Sequence, residues 1–284
     1  MTPAARDAVA TAAGAAVSHA SPVSGGCIGN VWRVKLADGR QLVAKTAGPD
    51  GTLDIEGYML DYLARTNAVP VPDVIHASPG LLVISWIETA GPLTASAQEH
   101  AADLLAALHG ITADAYGHEQ ATLIGPLQQP NPWTDSWIAF FRDRRLLYMG
   151  RKALDKGTLQ PETYARLEAF CTHRLETYIE EPERPSLIHG DMWGGNVLCR
   201  NGRIAAFIDP AIYHADPEIE LAFSTLFGTY GDPFFRRYNE HRPLRPGFFE
   251  ARRDIYNLYP LLVHTTLFGG HYAAQVDGIL RRFT

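Results

Sequence analysis

The chain has 284 residues, 46% of them hydrophobic and 20% charged, with a formal net charge of −6. That length suits one small and one larger lobe, and the acidic balance excludes a general nucleic-acid or anionic-membrane surface. Cys27, Cys171 and Cys199 are too few and too scattered for a disulfide framework, and no apolar run is long enough to span a bilayer.

The Ala-rich N-terminus is interrupted by Arg6 and Asp7, so it reads as an amphipathic helix over residues 3–18 and not as a secretion signal. A glycine-rich turn follows, Ser24-Gly25-Gly26-Cys27-Ile28-Gly29-Asn30, set between two strand-like stretches. Residues 31–36 alternate as a half-buried strand should, Asp38-Gly39 signals a hairpin, and residues 41–45 return as its partner. Residues 53–66 are predicted helical, with Ile55, Met59, Leu60 and Leu63 on one face; Pro70 and Pro72 stop the pattern. Residues 74–76 and 81–86 complete an antiparallel sheet with one inserted helix.

After Glu88 the texture turns helical. Ser96 and Glu99 form a capping box for a helix that buries Ala101, Leu104, Leu105 and Leu108. A long helix is predicted over 161–179, and others near 217–227 and 248–268, around a strand–loop–strand segment at 187–209. The expected architecture is α+β and bilobal: residues 1–87 as a nucleotide-binding lobe and 88–284 as a mainly helical catalytic and substrate lobe.

The segment carrying most chemistry is Leu187-Ile188-His189-Gly190-Asp191-Met192-Trp193-Gly194-Gly195-Asn196-Val197-Leu198. A carboxylate on such a loop, Asp191, can accept the proton of an attacking hydroxyl. Asn196, five positions on, can reach a metal bound to a nucleotide, and a strand then delivers a second carboxylate at Asp209. Phosphoryl transfer needs this set: a base for the nucleophile and oxygen ligands for Mg²⁺ on the phosphates. Asp and Asn are also ordinary turn formers, but the combination is rare by accident.

Upstream, Gly25, Gly26 and Cys27 sit where a loop closes over phosphates, and Lys45 ends the returning strand where a lysine bridges the α- and β-phosphates of ATP. Glu56 opens the next helix and is positioned to pair with Lys45; a simple helix-dipole role competes, since Asp54 is close by. The connector Trp86-Ile87-Glu88 offers its backbone to the adenine edge.

These residues together resemble the kinase-like fold of aminoglycoside and choline phosphotransferases, and more closely the fructosamine kinases. Gly25-Gly26-Cys27-Ile28 resembles that family's phosphate loop, and His189-Gly190-Asp191-Met192-Trp193-Gly194-Gly195-Asn196 its H-G-D-L-W-S-G-N. Asp209-Pro210-Ala211, Tyr213, Glu220-Leu221-Ala222 and Leu226-Phe227-Gly228 extend the match, with Met192, Gly194 and Gly29 as departures. The resemblance implies ATP-dependent phosphorylation of a ketosamine, usually at the sugar 3-hydroxyl, a deglycation repair reaction. It also implies Asp191 as base, Asn196 and Asp209 as Mg²⁺ ligands and Lys45 as phosphate contact. Trp193 stands on the substrate side of the loop, for packing against sugar or amine, with core packing as its alternative.

Asp216 and Glu220 are expected to hold the catalytic loop through its backbone, His189 to be an anchored loop residue, and His109 and His264 to lie in core or pocket wall. The expected partner is a small or protein-bound ketosamine, with no nucleic acid and no membrane. The protein is expected to be a cytoplasmic monomer with reduced thiols, a disulfide dimer through Cys27 being the alternative. Competing readings are an aminoglycoside- or choline-type phosphotransferase and a nucleotide-binding pseudokinase. Gly190 in place of the Arg of H-R-D, and the lack of D-F-G and A-P-E segments, argue against a protein kinase.

Overall fold

Capping chemistry sets the first element. Thr2 accepts the Ala5 N–H at 3.2 Å, Pro3 occupies the first turn, and Gly14 ends helix α1 (Pro3–Ala13) at φ +68°. The helix is therefore shorter than residues 3–18, and the chain turns back at once as strand β1 (Val17–Pro22). A computed structural model describes residues 1–23 and 30–283; Gly25, Gly26 and Cys27 lie outside the described residues.

Strands β2 (Asn30–Leu36) and β3 (Gln41–Thr46) form the expected hairpin, helix α2 (Leu53–Thr66) follows, and β4 (Val74–Ser78) and β5 (Leu81–Ser85) complete an antiparallel sheet ordered β1-β2-β3-β5-β4. Alternation assigns its faces. Val34, Leu36, Leu42, Ala44 and Val83 meet Val9 and Ala13 of α1. Leu82 and Ile84, on the other face, meet Leu60 of α2. Lys45 pairs with Leu82 in the β3–β5 register and so projects from the α2 side. The apolar side of α2 is divided: Leu60 serves the sheet, whereas Met59 and Leu63 join the large core of the helical part.

That helical part opens with α3 (Ala95–Leu108). Its cap is Thr94, which accepts the Ala97 N–H at 3.3 Å, and not the expected Ser96, whose hydroxyl donates to the Gly202 carbonyl at 3.2 Å. The hairpin β6 (Thr122–Ile124) and β7 (Leu127–Gln129) leads to α4 (Trp137–Phe140), which widens into π-helical turns at Phe141–Leu147 and continues as α5 (Tyr148–Asp155). The single helix expected over 161–179 is two, α6 (Pro161–His173) and α7 (Leu175–Tyr178), broken where Arg174 leaves helical geometry at φ −126°.

Four short strands then frame the loops of interest: β8 (Ser186–Ile188), β9 (Val197–Arg200), β10 (Arg203–Phe207) and β11 (Tyr213–Ala215), paired as β9–β10 and β8–β11. Helices α8 (Glu218–Leu226), α9 (Asp232–His241), α10 (Arg253–Phe268) and α11 (His271–Phe283) close the chain. No helix among the described residues is long and apolar enough to cross a membrane. The α+β architecture expected from the sequence, a small antiparallel sheet followed by a mainly helical part, is the one observed.

Candidate active site

Strand β8 ends at Ile188, and the next residues are shaped by two constraints on Gly190. Its φ is +86°, and a Cβ there would lie 2.1 Å from the Ala211 carbonyl oxygen, so only glycine fits. The Gly190 N–H donates to Glu220 Oε1 at 2.7 Å, and the Ala211 N–H donates to the His189 carbonyl at 2.7 Å. These bonds fix the backbone that presents Asp191.

Asn196 completes the loop. Its Nδ2 donates to both the carbonyl oxygen and the Oδ2 carboxylate oxygen of Asp191, each at 2.9 Å. With both amide hydrogens committed, the remaining polar atom, Oδ1, is an acceptor available to a cation. The Asn196 carbonyl also accepts the Ile208 N–H at 3.1 Å, tying the loop to the residue before Asp209. Asp209 has a φ of +54°, a left-handed conformation uncommon outside glycine and often found where a functional side chain is aimed.

From the sheet side, Lys45 Nζ lies 2.7 Å from Glu56 Oε1 and 2.5 Å from Asp209 Oδ1. Asp54 is exposed and makes no such pair. Burial alone would lower the Lys45 ammonium, but Glu56 and then Asp209 outweigh it and hold it above the ordinary lysine range. Burial raises the Glu56 carboxyl, against the pull of Lys45.

Asp191 is half-buried, surrounded by protein on most sides and partly open to solvent. Burial, opposed by the Asn196 hydrogen bond and reinforced by the charges of Asp209 and Glu220, pushes its carboxyl up to about 7. A carboxylate near that value is matched to taking a proton at neutral pH.

Under the loop, Glu220 is fully enclosed. Burial would raise its carboxyl, but His109 at 2.7 Å, then His189 and the Gly190 N–H, hold it below the usual range. His109 is itself held by the Tyr238 hydroxyl at 2.7 Å, and burial lowers the pKa of the His189 imidazole. Glu220 thus bonds the loop backbone as expected, whereas Asp216 does not. Its carboxylate accepts the Glu218 N–H and the Tyr256 hydroxyl and pairs with Arg245. Glu218 binds Arg245 and Arg252 beside it, so this buried network secures α8 to the segment leading into α10. Nothing local in the sequence marks Arg245 or Arg252 as these partners.

The Trp193 ring lies over Gly195, where a Cβ would come within 2.3 Å of the indole, and meets Phe227 edge-on at 6.3 Å. Phe227 continues to His264 at 5.1 Å, so a partly exposed aromatic surface extends from the Asp191 loop.

At the connector, the Trp86 N–H is already given to the Gln41 carbonyl at 3.3 Å, and Arg33 lies 4.1 Å over the Trp86 ring and 3.7 Å from Glu88. Trp86 therefore has no free backbone donor for adenine. Its side chain and that of Glu88 are engaged by Arg33.

Among the described residues no group of three or more His, Cys, Asp or Glu forms a ready metal cage. The donors here are one carboxylate and one amide oxygen, a hard and sparse set that suits Mg²⁺, which keeps waters and binds through substrate phosphates.

The fructosamine kinase family matches residues 1–284 of the chain. A probable ketoamine kinase of Synechocystis sp. is 33% identical over 269 residues, 92% of this chain and 88% of the relative. The crystal structure of a candidate fructosamine-3-kinase from Thermobifida fusca superposes with a TM-score of 0.87 at 32% identity, covering 99% of this chain and 98% of that one. A thermostable mutant of an aminoglycoside phosphotransferase shares the protein-kinase-like fold, with a TM-score of 0.65 at 18% identity over 98% of each chain.

Proposed function

The chain belongs to the fructosamine kinase family, and on that footing we propose that it moves the γ-phosphoryl of ATP onto a sugar hydroxyl, the 3-hydroxyl, of a ketosamine. The observation that carries this reading is the convergence of four groups from distant segments. Lys45 reaches Asp209 from the sheet, and Asn196 binds Asp191 through its side chain and Ile208 through its backbone.

In this reading Asp191 accepts the proton of the sugar hydroxyl as that oxygen bonds to the γ-phosphorus. The bond from the γ-phosphorus to the bridging oxygen breaks, and ADP leaves. Lys45, kept in place by Glu56, meets the α- and β-phosphates. Asp209 and the Oδ1 of Asn196 hold Mg²⁺, which when bound neutralises charge on the phosphates. Ile87 and the carbonyl side of the connector receive adenine, with the lobe boundary between residues 87 and 88. Trp193 and the aromatic surface beyond it face the sugar and its amine substituent. Loss of the amine from the phosphorylated product makes the reaction a deglycation step.

The test is ADP release measured across fructose- and ribulose-derived ketosamines, aminoglycosides and choline, with the phosphorylated product identified by mass spectrometry. Turnover of ketosamines is expected. Turnover confined to aminoglycosides or choline overturns the acceptor assignment, and no ATP-dependent product from any acceptor overturns the kinase assignment.

A further inference from the structure

Helix α2 carries two functional faces two residues apart. Glu56 points to Lys45, and Gly57 is seated on β4, where a Cβ would come within 2.4 Å of the Ala77 methyl group. Tyr58 points the other way, into the helical part. Its hydroxyl lies 2.8 Å from His118 Nε2 and donates to the Glu119 carboxylate. Tyr62, one turn on, meets the His118 ring edge-on at 4.7 Å.

The hydrogen-bond directions follow from the chemistry. A phenol has one hydrogen, and Tyr58 gives it to Glu119, so His118 Nε2 must donate to the phenol oxygen. The other ring nitrogen of His118 is buried without a partner, and burial with the neighbouring His214 lowers its pKa to about 4, so the ring is neutral.

His118 is not an isolated anchor. It stacks on His214 at 6.2 Å, and the preceding Gly117 exchanges backbone hydrogen bonds with His214 at 2.8 and 3.0 Å. His214 belongs to β11, which begins four residues after Asp209 and pairs with β8, the strand that delivers Asp191. The contacts therefore close a ring: Glu56 to Lys45 to Asp209, along the chain to His214, across to His118, and through Tyr58 back to α2.

We infer that Tyr58 is a positioning residue, tethering α2 to the segment at His118 and Glu119 so that Glu56 holds Lys45 in register with Asp209. This inference rests on the reading of Lys45 and Glu56 as nucleotide-binding groups. The tether joins α2, by way of His118 and Gly117, to the β8–β11 pair that leads into the Asp191 loop.

The test measures binding of a fluorescent ADP analogue, with affinity and stoichiometry read separately, and the KM for ATP and for a ketosamine. Tyr58→Phe removes one oxygen and is expected to weaken nucleotide binding about five- to tenfold, the worth of one partly buried hydrogen bond. One site per chain and an unchanged ketosamine KM are expected to remain. A merely structural role would lower the melting temperature or the number of sites and leave the affinity alone, and that result overturns the inference. Glu119→Gln, at an exposed position, is expected to shift affinity in the same direction by a smaller factor, and it decides the matter if the Tyr58 variant is insoluble. Lys45→Ala is the control. If it binds nucleotide as the wild type does, the underlying reading fails; if it binds weakly while Tyr58→Phe does not, only the tether fails.

Discussion

Lys45 and Asp209, 164 positions apart, meet at 2.5 Å, the Lys45 ammonium on the sheet side and the Asp209 carboxylate near the start of the loop after β10. With Glu56 on its other side, Lys45 separates two carboxylates. Lys45→Met leaves them facing each other without a counter-charge. Nucleotide affinity is expected to fall at least about tenfold and the melting temperature to drop, since removing one partner of a largely buried pair leaves an uncompensated charge. Fluorescent-nucleotide titration and thermal unfolding in the same buffer check both.

Asp191→Asn keeps the size of the side chain and removes the carboxylate proposed as proton acceptor. Turnover is expected to fall about 10²- to 10⁴-fold while nucleotide affinity stays within about twofold. Steady-state assays beside direct binding measurements separate the two. Unchanged turnover would exclude Asp191 as the proton acceptor.

Trp193→Ala opens the surface over Gly195 and detaches it from Phe227. The KM for a ketosamine is expected to rise about two- to tenfold, the scale of one aromatic contact, with the KM for ATP unaltered. An equal rise in both constants would place the indole in the core of the loop and away from the acceptor.

Gly190→Ala forces a methyl group towards the Ala211 carbonyl at a φ of +86°. The variant is expected to lose about 2 kcal/mol or more of stability, with turnover reduced because Asp191 shares the displaced backbone. Urea unfolding and residual activity are the measurements. A stability equal to wild type would mean that the loop relaxes without cost.

His118 has a pKa lowered from 6.5 to about 4, first by burial. Its neutral ring contributes stability above pH 6.5, the unfolded value. That contribution is lost as pH falls towards the folded value, because only the unfolded chain takes up the proton. Between pH 7.5 and 5 the wild type is expected to lose up to about 2 kcal/mol more than His118→Gln, whose amide does not titrate. Parallel denaturant titrations at the two pH values test it; equal losses would show that the ring protonates freely in the folded state.

Much of the site could be read along the chain because its parts are local. The five-residue spacing from Asp191 to Asn196 is short enough for one amide to bind the loop it closes. Lys45 at a strand end and Glu56 in the first turn of the next helix are joined by a connection too short to place them far apart. The failures share the opposite property. Ser96 reads as a cap until the Gly202 carbonyl, 106 positions away, takes its hydroxyl. Asp216 reads as a loop anchor until Arg245 and Tyr256 occupy it. Helix α4 and its π-helical continuation lack a clear amphipathic period because Trp137, Phe140, Phe141 and Leu146 are all buried.

By itself the sequence determined the α+β plan, a small antiparallel sheet with one inserted helix before a mainly helical part, and the pairing of Lys45 with Glu56. Those features follow from backbone sterics, side-chain periodicity and spacing over a few residues. Only the tertiary structure decided that Trp86 has already given away its N–H, that His109 bonds Glu220 beneath the loop, and that Tyr58 joins α2 to His118. Each of these is a hydrogen bond between residues brought together by packing, and packing depends on the whole chain at once.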